Sequence, residues 1–213
     1  MPNVHTLCRR LGAAVAAAAF ALLGATAADA MKLKPQNLTQ LIAESDSIVA
    51  GTVTRLTDGV TESGMPFTEI TIAVGGSAKG SIGKNTTYTF RQFGLLKPRK
   101  MPNGKTLIAV APEGFARWAE GEQVVAFLFK PAEMTGLQTT AGMAQGKLTR
   151  MSGKLVNEFG NTGLLDGVEI DEGLLTAAEK AMLASDGPVD ADVFMNLVGR
   201  AVAGNWIENG EMR

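Results

Sequence analysis

The chain has 213 residues, one cysteine, one histidine and a formal net charge of −1 at pH 7. A nearly neutral chain lacks the basic surplus of a dedicated nucleic-acid-binding protein. Because Cys8 and His5 stand alone, no later residue offers a thiol or an imidazole, which excludes disulfides, Cys/His zinc sites and histidine-dependent nucleophiles from the rest of the chain. We therefore expect neither a cofactor nor a metal.

Residues 1–30 have the pattern of an export signal. Arg9-Arg10 precedes an apolar run from Leu11 to Leu23, and Ala28-Asp29-Ala30 is the small-x-small pattern that signal peptidase cleaves. Cleavage after Ala27 fits nearly as well, and the arginine pair leaves a twin-arginine signal open. The apolar run is shorter than the roughly 20 residues of a membrane span. We expect a periplasmic or secreted bacterial protein with no membrane span after processing.

The next part of the chain predicts one short helix followed by strands. Asn37 caps the predicted helix, which runs from Leu38 to Glu44. Most of the predicted strands alternate apolar and polar residues, whereas the one at 122–130 is apolar on both faces and should lie centrally in the sheet; glycines, prolines or polar turns separate the strands. They cover residues 47–56, 67–74, 86–93, 106–110, 122–130, 138–151 and 154–159.

The last quarter changes to helical periodicity. Thr176 and Glu179 form a capping box before a predicted helix that ends at Ala184. Asp190 caps a second predicted helix, from Ala191 to Ala203. We therefore expect a signal peptide (1–30), a β domain (31–160) and a helical extension packed on that domain (161–213).

The order of these elements carries a family likeness. The segment from Ala43 to Val53 joins a short helix to a strand through a Ser-Asp step, and Lys79-Gly80 ends the second strand. Gly94, Gly121-Glu122 and Gln145-Gly146-Lys147 follow in order. Over residues 38–150 the chain resembles the netrin-like domain, the family that includes the tissue inhibitors of metalloproteinases, and a set of exported bacterial proteins without a settled activity.

This resemblance implies a mainly β fold, a five-stranded barrel of the oligonucleotide/oligosaccharide-binding (OB) type. The metalloproteinase inhibitors chelate zinc through an N-terminal cysteine, whereas no cysteine follows Cys8 here. The inhibitory site therefore does not carry over, and fold alone does not imply function.

The longest stretch without clear periodicity, residues 94–121, holds the candidate binding residues. A connection of this length is often functional. Its cations, together with a preceding arginine, would clamp an anionic partner, although a solvated loop explains them as well. Phe115 and Trp118 flank Arg117 and would anchor an interface or close the core. The candidate binding residues are Arg91, Lys97, Arg99, Lys100, Lys105, Phe115, Arg117 and Trp118.

Two oxygen- or sulfur-rich groups carry weaker hypotheses. Asp166, Glu169, Asp171 and Glu172 would hold calcium, but they lack the spacing of a calcium loop and equally favour the positive end of a following helix. The methionines are spaced too widely for a copper cluster and suit a core.

These observations favour an exported, non-enzymatic binding or inhibitor-like module that recognises another exported protein, with a protease as one candidate partner. The alternative is a hydrolase that uses carboxylates alone on cell-wall or surface glycans, which would need two carboxyl groups about 5–10 Å apart. A third hypothesis is a structural envelope protein whose C-terminal helix pairs with a partner.

Overall fold

The computed structural model describes residues 34–108, 110 and 112–213; the predicted export signal at 1–30 lies outside them. Three helices and nine strands make up the described part, with short 3-10 turns at Met143–Gly146 and Glu172–Leu174. The helices are α1 (Leu38–Glu44), α2 (Ala177–Leu183) and α3 (Ala191–Ala203). The strands are β1 (Ser47–Val60), β2 (Pro66–Lys79), β3 (Thr87–Phe93), β4 (Arg99–Lys100), β5 (Thr106–Leu107), β6 (Gln123–Leu128), β7 (Lys147–Met151), β8 (Lys154–Val156) and β9 (Val189–Asp190).

The mainly β prediction is confirmed. Seven strands form one antiparallel sheet in the order β3-β2-β1-β6-β7-β8-β9, while β4 and β5 form a separate hairpin. Within the described residues the sheet does not close into the five-stranded barrel that the resemblance implies. Beyond the edge of β3, a single parallel bridge joins Arg91 to Leu137, in the segment that leads from β6 towards β7.

The first half of β1, residues 47–53, is covered on both faces because helices cover one side of the sheet. Ile48 and Phe127 belong to a core shared with α1 and α3, which we call the helix-side core. Val49 and Val53 belong to the opposite, inner core, together with Ile72. Phe194 of α3 meets Phe127 with their ring centroids 6.3 Å apart. Each face of β1 therefore removes apolar surface from water.

Two predicted strand ends are wrong for a common reason. Strand β1 continues to Val60 through the predicted turn, and β2 continues through Gly75-Gly76 to Lys79. Ala50 pairs with Gly76 and Ile48 pairs with Lys79, with register shifts that mark bulges. Pairing with a buried neighbour overrides the low strand propensity of glycine.

The predicted long strand at 138–151 is wrong in its first half. Gly142 has a positive φ of 62°, and a 3-10 turn occupies Met143–Gly146, so that β7 begins only at Lys147. The two residues left between the predicted strands at 138–151 and 154–159, Ser152 and Gly153, form the turn of the β7–β8 hairpin, and both have positive φ.

The predicted helices are confirmed with their caps. Asn37 and Thr176 each form a complete capping box, and the carboxylate of Asp190 accepts hydrogen bonds from the first turn of α3. At the other end of α1, the Lys79 ammonium donates a 2.7 Å hydrogen bond to the carbonyl of Ile42. The predicted Lys79-Gly80 step thus satisfies a carbonyl at the end of the first helix.

A buried carboxylate fixes the two C-terminal helices. Glu179 is 1% exposed and accepts hydrogen bonds from the backbone and hydroxyl of Thr176, both at 2.8 Å. The guanidinium of Arg200 in α3 donates to the same carboxylate, at 3.0 Å and 3.2 Å, and to the carbonyl of Leu174. The Arg200 guanidinium also lies 5.1 Å from the ring centroid of Trp206. Charge and hydrogen bonds together compensate the burial of this carboxylate.

We expect Glu179→Ala to lower the free energy of unfolding by about 3 kcal/mol, because it removes a cap and leaves Arg200 without its partner. Urea unfolding measures the change. The matched control is Glu172→Ala, since Glu172 is exposed and its ion pair with Lys180 is long, at 3.9 Å. We expect this substitution to lower the free energy of unfolding by less than about 0.5 kcal/mol. Equal losses in the two variants would contradict this account of the helix pair.

Candidate functional site

The segment of residues 94–121 between β3 and β6, which we call the connection, is attached to the sheet through side chains. One carboxylate oxygen of Asp58 accepts a 3.0 Å hydrogen bond from the amide of Leu96, and the other pairs with Arg99. The Arg99 guanidinium also donates to the carbonyl of Asp58, at 2.8 Å. Asp58 of strand β1 therefore binds the first half of the connection directly, through its side chain and its carbonyl.

The environment of Asp58 favours its ionised form. Burial opposes ionisation, but the hydrogen bond and charge of Arg99 and the backbone amides of Leu96 and Lys97 together hold the pKa of Asp58 below its ordinary value of 3.8. The attachment is therefore ionised at neutral pH.

The second half of the connection is anchored by Gln92, which is 2% exposed on β3. Its amide nitrogen donates to the carbonyl of Ala116 at 2.9 Å, and its amide oxygen accepts from the indole of Trp118 at 3.1 Å. The hydroxyl of Thr68 donates to the carbonyl of Gly94 at 2.9 Å. Buried amides of this kind cost free energy unless both ends are bonded, so these contacts define one position for the chain.

A cavity of about 310 Å³, which we call the connection cavity, lies between these anchors. Its polar lining groups, Thr68 and Gln92, already hydrogen-bond to the connection. The remaining lining is apolar except for Arg117. The full lining consists of Thr68, Gln92, Leu95, Leu96, Val110, Ala116, Arg117 and Trp118.

The connection carries both exposed apolar side chains and cationic side chains. Leu96 is 45% exposed, Ile108 76% and Val110 42%, which is unusual for large apolar residues. Five cations (Lys97, Arg99, Lys100, Lys105, Arg117) and two carboxylates (Glu113, Glu120) lie in the same segment.

The structure places the predicted site residues in different roles. Arg91 lies on β3, where it pairs with Glu69 at 2.8 Å and stacks on Phe67. Arg99 anchors the connection. Lys97, Lys100 and Lys105 are exposed, and none of them forms an ion pair with another described residue.

The two predicted aromatic residues are partly buried. The ring of Trp118 packs edge-on against Phe90, with centroids 5.4 Å apart, and contributes to the inner core. Phe115 lies 6.4 Å from Phe93 between ring centroids. Arg117 is exposed between them in the chain. The two aromatic side chains are thus partly buried, whereas Arg117 is exposed to solvent.

Sequence reasoning missed a half-buried ion pair beside Arg117. The ammonium of Lys147 lies 2.6 Å from a carboxylate oxygen of Glu122 and 5.5 Å from the centroid of the Trp118 ring. The same carboxylate oxygen accepts the amide of Ala119 at 3.0 Å. The sequence analysis singled out both steps, Gly121-Glu122 and Gln145-Gly146-Lys147, but nothing in either step indicates that the two side chains meet.

The pair lines a second cavity of about 260 Å³, which we call the pair cavity. Next to Lys147, Gly146 has no room for a side chain, because an added Cβ would overlap the carbonyl oxygen of Ala141. The neighbouring Gln145 bonds to the backbone of Gln36 and Lys34, at 2.8 Å and 3.1 Å. The pair cavity is lined by Ala116, Arg117, Glu122, Ala144, Lys147, Thr149, Met151, Val156, Asn157 and Glu158.

The other predicted groups do not converge. Glu169 and Glu172 lie 3.8 Å and 3.9 Å from Arg213 and Lys180, and the described residues contain no group of three or more acids that could hold a metal ion. Met134 and Met151 are exposed rather than core residues. Among the described helices, none is long and apolar enough to cross a membrane.

Comparisons of the chain with protein-family models, with curated proteins and with solved structures give no match. The netrin-like resemblance and the function it implies therefore stay predictions.

We expect Asp58→Asn to lower the free energy of unfolding by about 1 kcal/mol at neutral pH, because Arg99 loses its charged partner. A depressed pKa stabilises the fold above the unfolded-state pKa of about 3.9, and that contribution is lost as the pH falls through the folded-state value. The difference between wild type and variant should therefore hold from about pH 5 to pH 8 and shrink below about pH 4.

Urea unfolding across this pH range measures the effect. Asp186→Asn is the control, because Asp186 is exposed and forms no hydrogen bond or ion pair with another described residue. A difference that stays unchanged down to about pH 2 would show that ionised Asp58 does not hold the connection.

Proposed function

We propose that the chain is an exported, non-enzymatic module that binds another exported protein through the connection. The observation that carries the proposal is the exposure of three large apolar residues, Leu96, Ile108 and Val110, within a cationic segment that the sheet holds in place. Protein interfaces commonly have an apolar centre and a polar rim. The cations select a partner whose contact face is acidic.

The attachment to the sheet supports a recognition role over that of a solvated loop. A loop that is only soluble needs neither the buried amide of Gln92 nor the carboxylate of Asp58 on its backbone. Preorganised contact residues lower the entropy that binding must overcome. Two of the exposed apolar side chains, Leu96 and Val110, also line the connection cavity, as anchor positions at interfaces often do.

We also propose that the curled sheet serves as an OB-type scaffold. Supporting this, β1 pairs with β2 on one side and with β6 on the other, and the bridge between Arg91 and Leu137 spans the gap beyond β3. Export through cleavage near Ala30 belongs to the same proposal and rests on the sequence pattern of residues 1–30.

A two-residue charge reversal tests the proposal. Lys97→Glu/Lys100→Glu should abolish capture of the partner, because it reverses the charge of the rim and leaves the Arg99 anchor intact. Cross-linking in an envelope extract, followed by binding measurements with the purified captured protein, provides the readout. We expect at least a tenfold loss of affinity, that is about 1.4 kcal/mol, and a steep dependence on salt.

Lys84→Glu/Lys154→Glu is the matched control. It makes the same change of charge at two exposed lysines outside the connection, and we expect it to bind normally. Equal affinity of the two double variants, or capture of no stoichiometric protein, would contradict the proposed function.

A further inference from the structure

The connection cavity and the pair cavity share two lining residues. Ala116 and Arg117 line both, so the short run Ala116-Arg117-Trp118 separates two neighbouring depressions. The run belongs to no helix or strand. Ala116 is 1% exposed and fixed by Gln92, whereas Arg117 is exposed. A ligand that crosses this run would enter both cavities at once.

Two residues of the run have backbone groups that are unpaired within the described part of the chain. Neither the amide nor the carbonyl of Arg117 hydrogen-bonds to another described residue, and the same holds for those of Trp118. Unpaired backbone groups at an exposed position can pair with an extended segment, as in recognition by strand addition. Side chains of a strand that are two residues apart point to the same side, about 7 Å apart, so one segment can reach two adjacent depressions.

The two cavities require different side chains. In the connection cavity, Thr68 and Gln92 hydrogen-bond to the connection itself. Apart from Arg117, the rest of the cavity lining is apolar. In the pair cavity, the lysine ammonium has three donors, and Glu122 is its one hydrogen-bonding partner among the described residues. Arg117 forms no ion pair with any described residue. An anionic group in the pair cavity can therefore accept from Arg117, whose charge no described residue compensates.

We propose, building on the proposed function, that the partner docks through an extended segment with an apolar side chain and, two residues later, a carboxylate. The apolar side chain occupies the connection cavity, and the carboxylate lies at Arg117 in the pair cavity. Glu122 does not repel it strongly, because Lys147 neutralises Glu122 at 2.6 Å. Glu158 also lines the pair cavity and opposes the incoming carboxylate. Arg117 and Glu158 should therefore affect affinity in opposite directions.

The test uses a capped heptapeptide, Ser-Ser-Leu-Ser-Asp-Ser-Ser, and the full-length processed protein. Titration followed by amide and indole NMR signals should shift those of Arg117 and Trp118 most strongly. Replacing the aspartate of the peptide with asparagine should weaken binding roughly fivefold, and N-methylation of its central serine should also weaken binding. Replacing the leucine with serine should abolish the shifts.

Protein variants complete the test. Arg117→Gln should make the aspartate and asparagine peptides bind equally, whereas Glu158→Gln should tighten the aspartate peptide about twofold. Both side chains are exposed, and retained dispersion of the NMR signals confirms folding. No shift at Arg117 and Trp118, or equal effects of the two substitutions, would overturn this inference.

Other outcomes separate this inference from the proposed function. The peptides could fail to bind while Lys97→Glu/Lys100→Glu still abolishes capture of the partner. That result would support the proposed binding module and contradict the proposed docking of an extended segment across the two cavities. Signals of Arg117 and Trp118 that shift with protein concentration alone would identify a second copy as the occupant and would also overturn the inference.

Discussion

The double burial of β1 is the constraint on which the structure depends. Within seven residues, Ile48 faces the helix-side core, and Val49 and Val53 face the inner core. Strand β2 packs closely against β1 at Gly51, which has no side chain. A Cβ added at Gly51 would overlap the carbonyl oxygen of Ala73 and lie 2.7 Å from the side chain of Ile72. Bulges on either side change the register and increase the local twist. One face of the sheet therefore covers the inner core while its other face packs against α1 and α3.

The arrangement of the strands in this sheet positions the candidate site. Asp58 lies in the second half of β1, beyond the bulges, and there it holds Leu96 and Arg99. Gln92 on β3 holds the far end of the connection through Ala116 and Trp118. Thr68 on β2, the strand between β1 and β3, donates to the carbonyl of Gly94, so three adjacent strands support the connection. A binding surface built this way keeps its shape before a partner arrives, which reduces the ordering that binding requires.

Local signals in the sequence predicted the helices well and the strand lengths less well. The caps Asn37, Thr176 and Asp190 act within a few residues, so the sequence alone locates the helix starts. Strand ends depend on pairing across the sheet, which is why β2 continues through Gly75-Gly76.

For the candidate site, the sequence identified the connection and its cations but not the forces that hold them. The ion pair between Glu122 and Lys147 joins residues that are 25 positions apart. The Asp58 anchor spans 38 positions to Leu96. Neither has a local pattern, since both form only when the strands are assembled. The sheet also includes β8 and β9 at one edge. The periodicity of a strand does not indicate which neighbour it pairs with, so the sequence could not predict this open sheet.

Native-state hydrogen exchange of the Leu96 amide tests the central claim, that the sheet holds the connection as a fixed surface. The amide of Ser63, in the exposed turn after β1, forms no hydrogen bond with another described residue and serves as the internal reference. We predict that Leu96 exchanges at least about 100-fold more slowly than Ser63 after correction for intrinsic rates, and that Asp58→Asn reduces this protection. Exchange of Leu96 at the rate of Ser63 would contradict this claim.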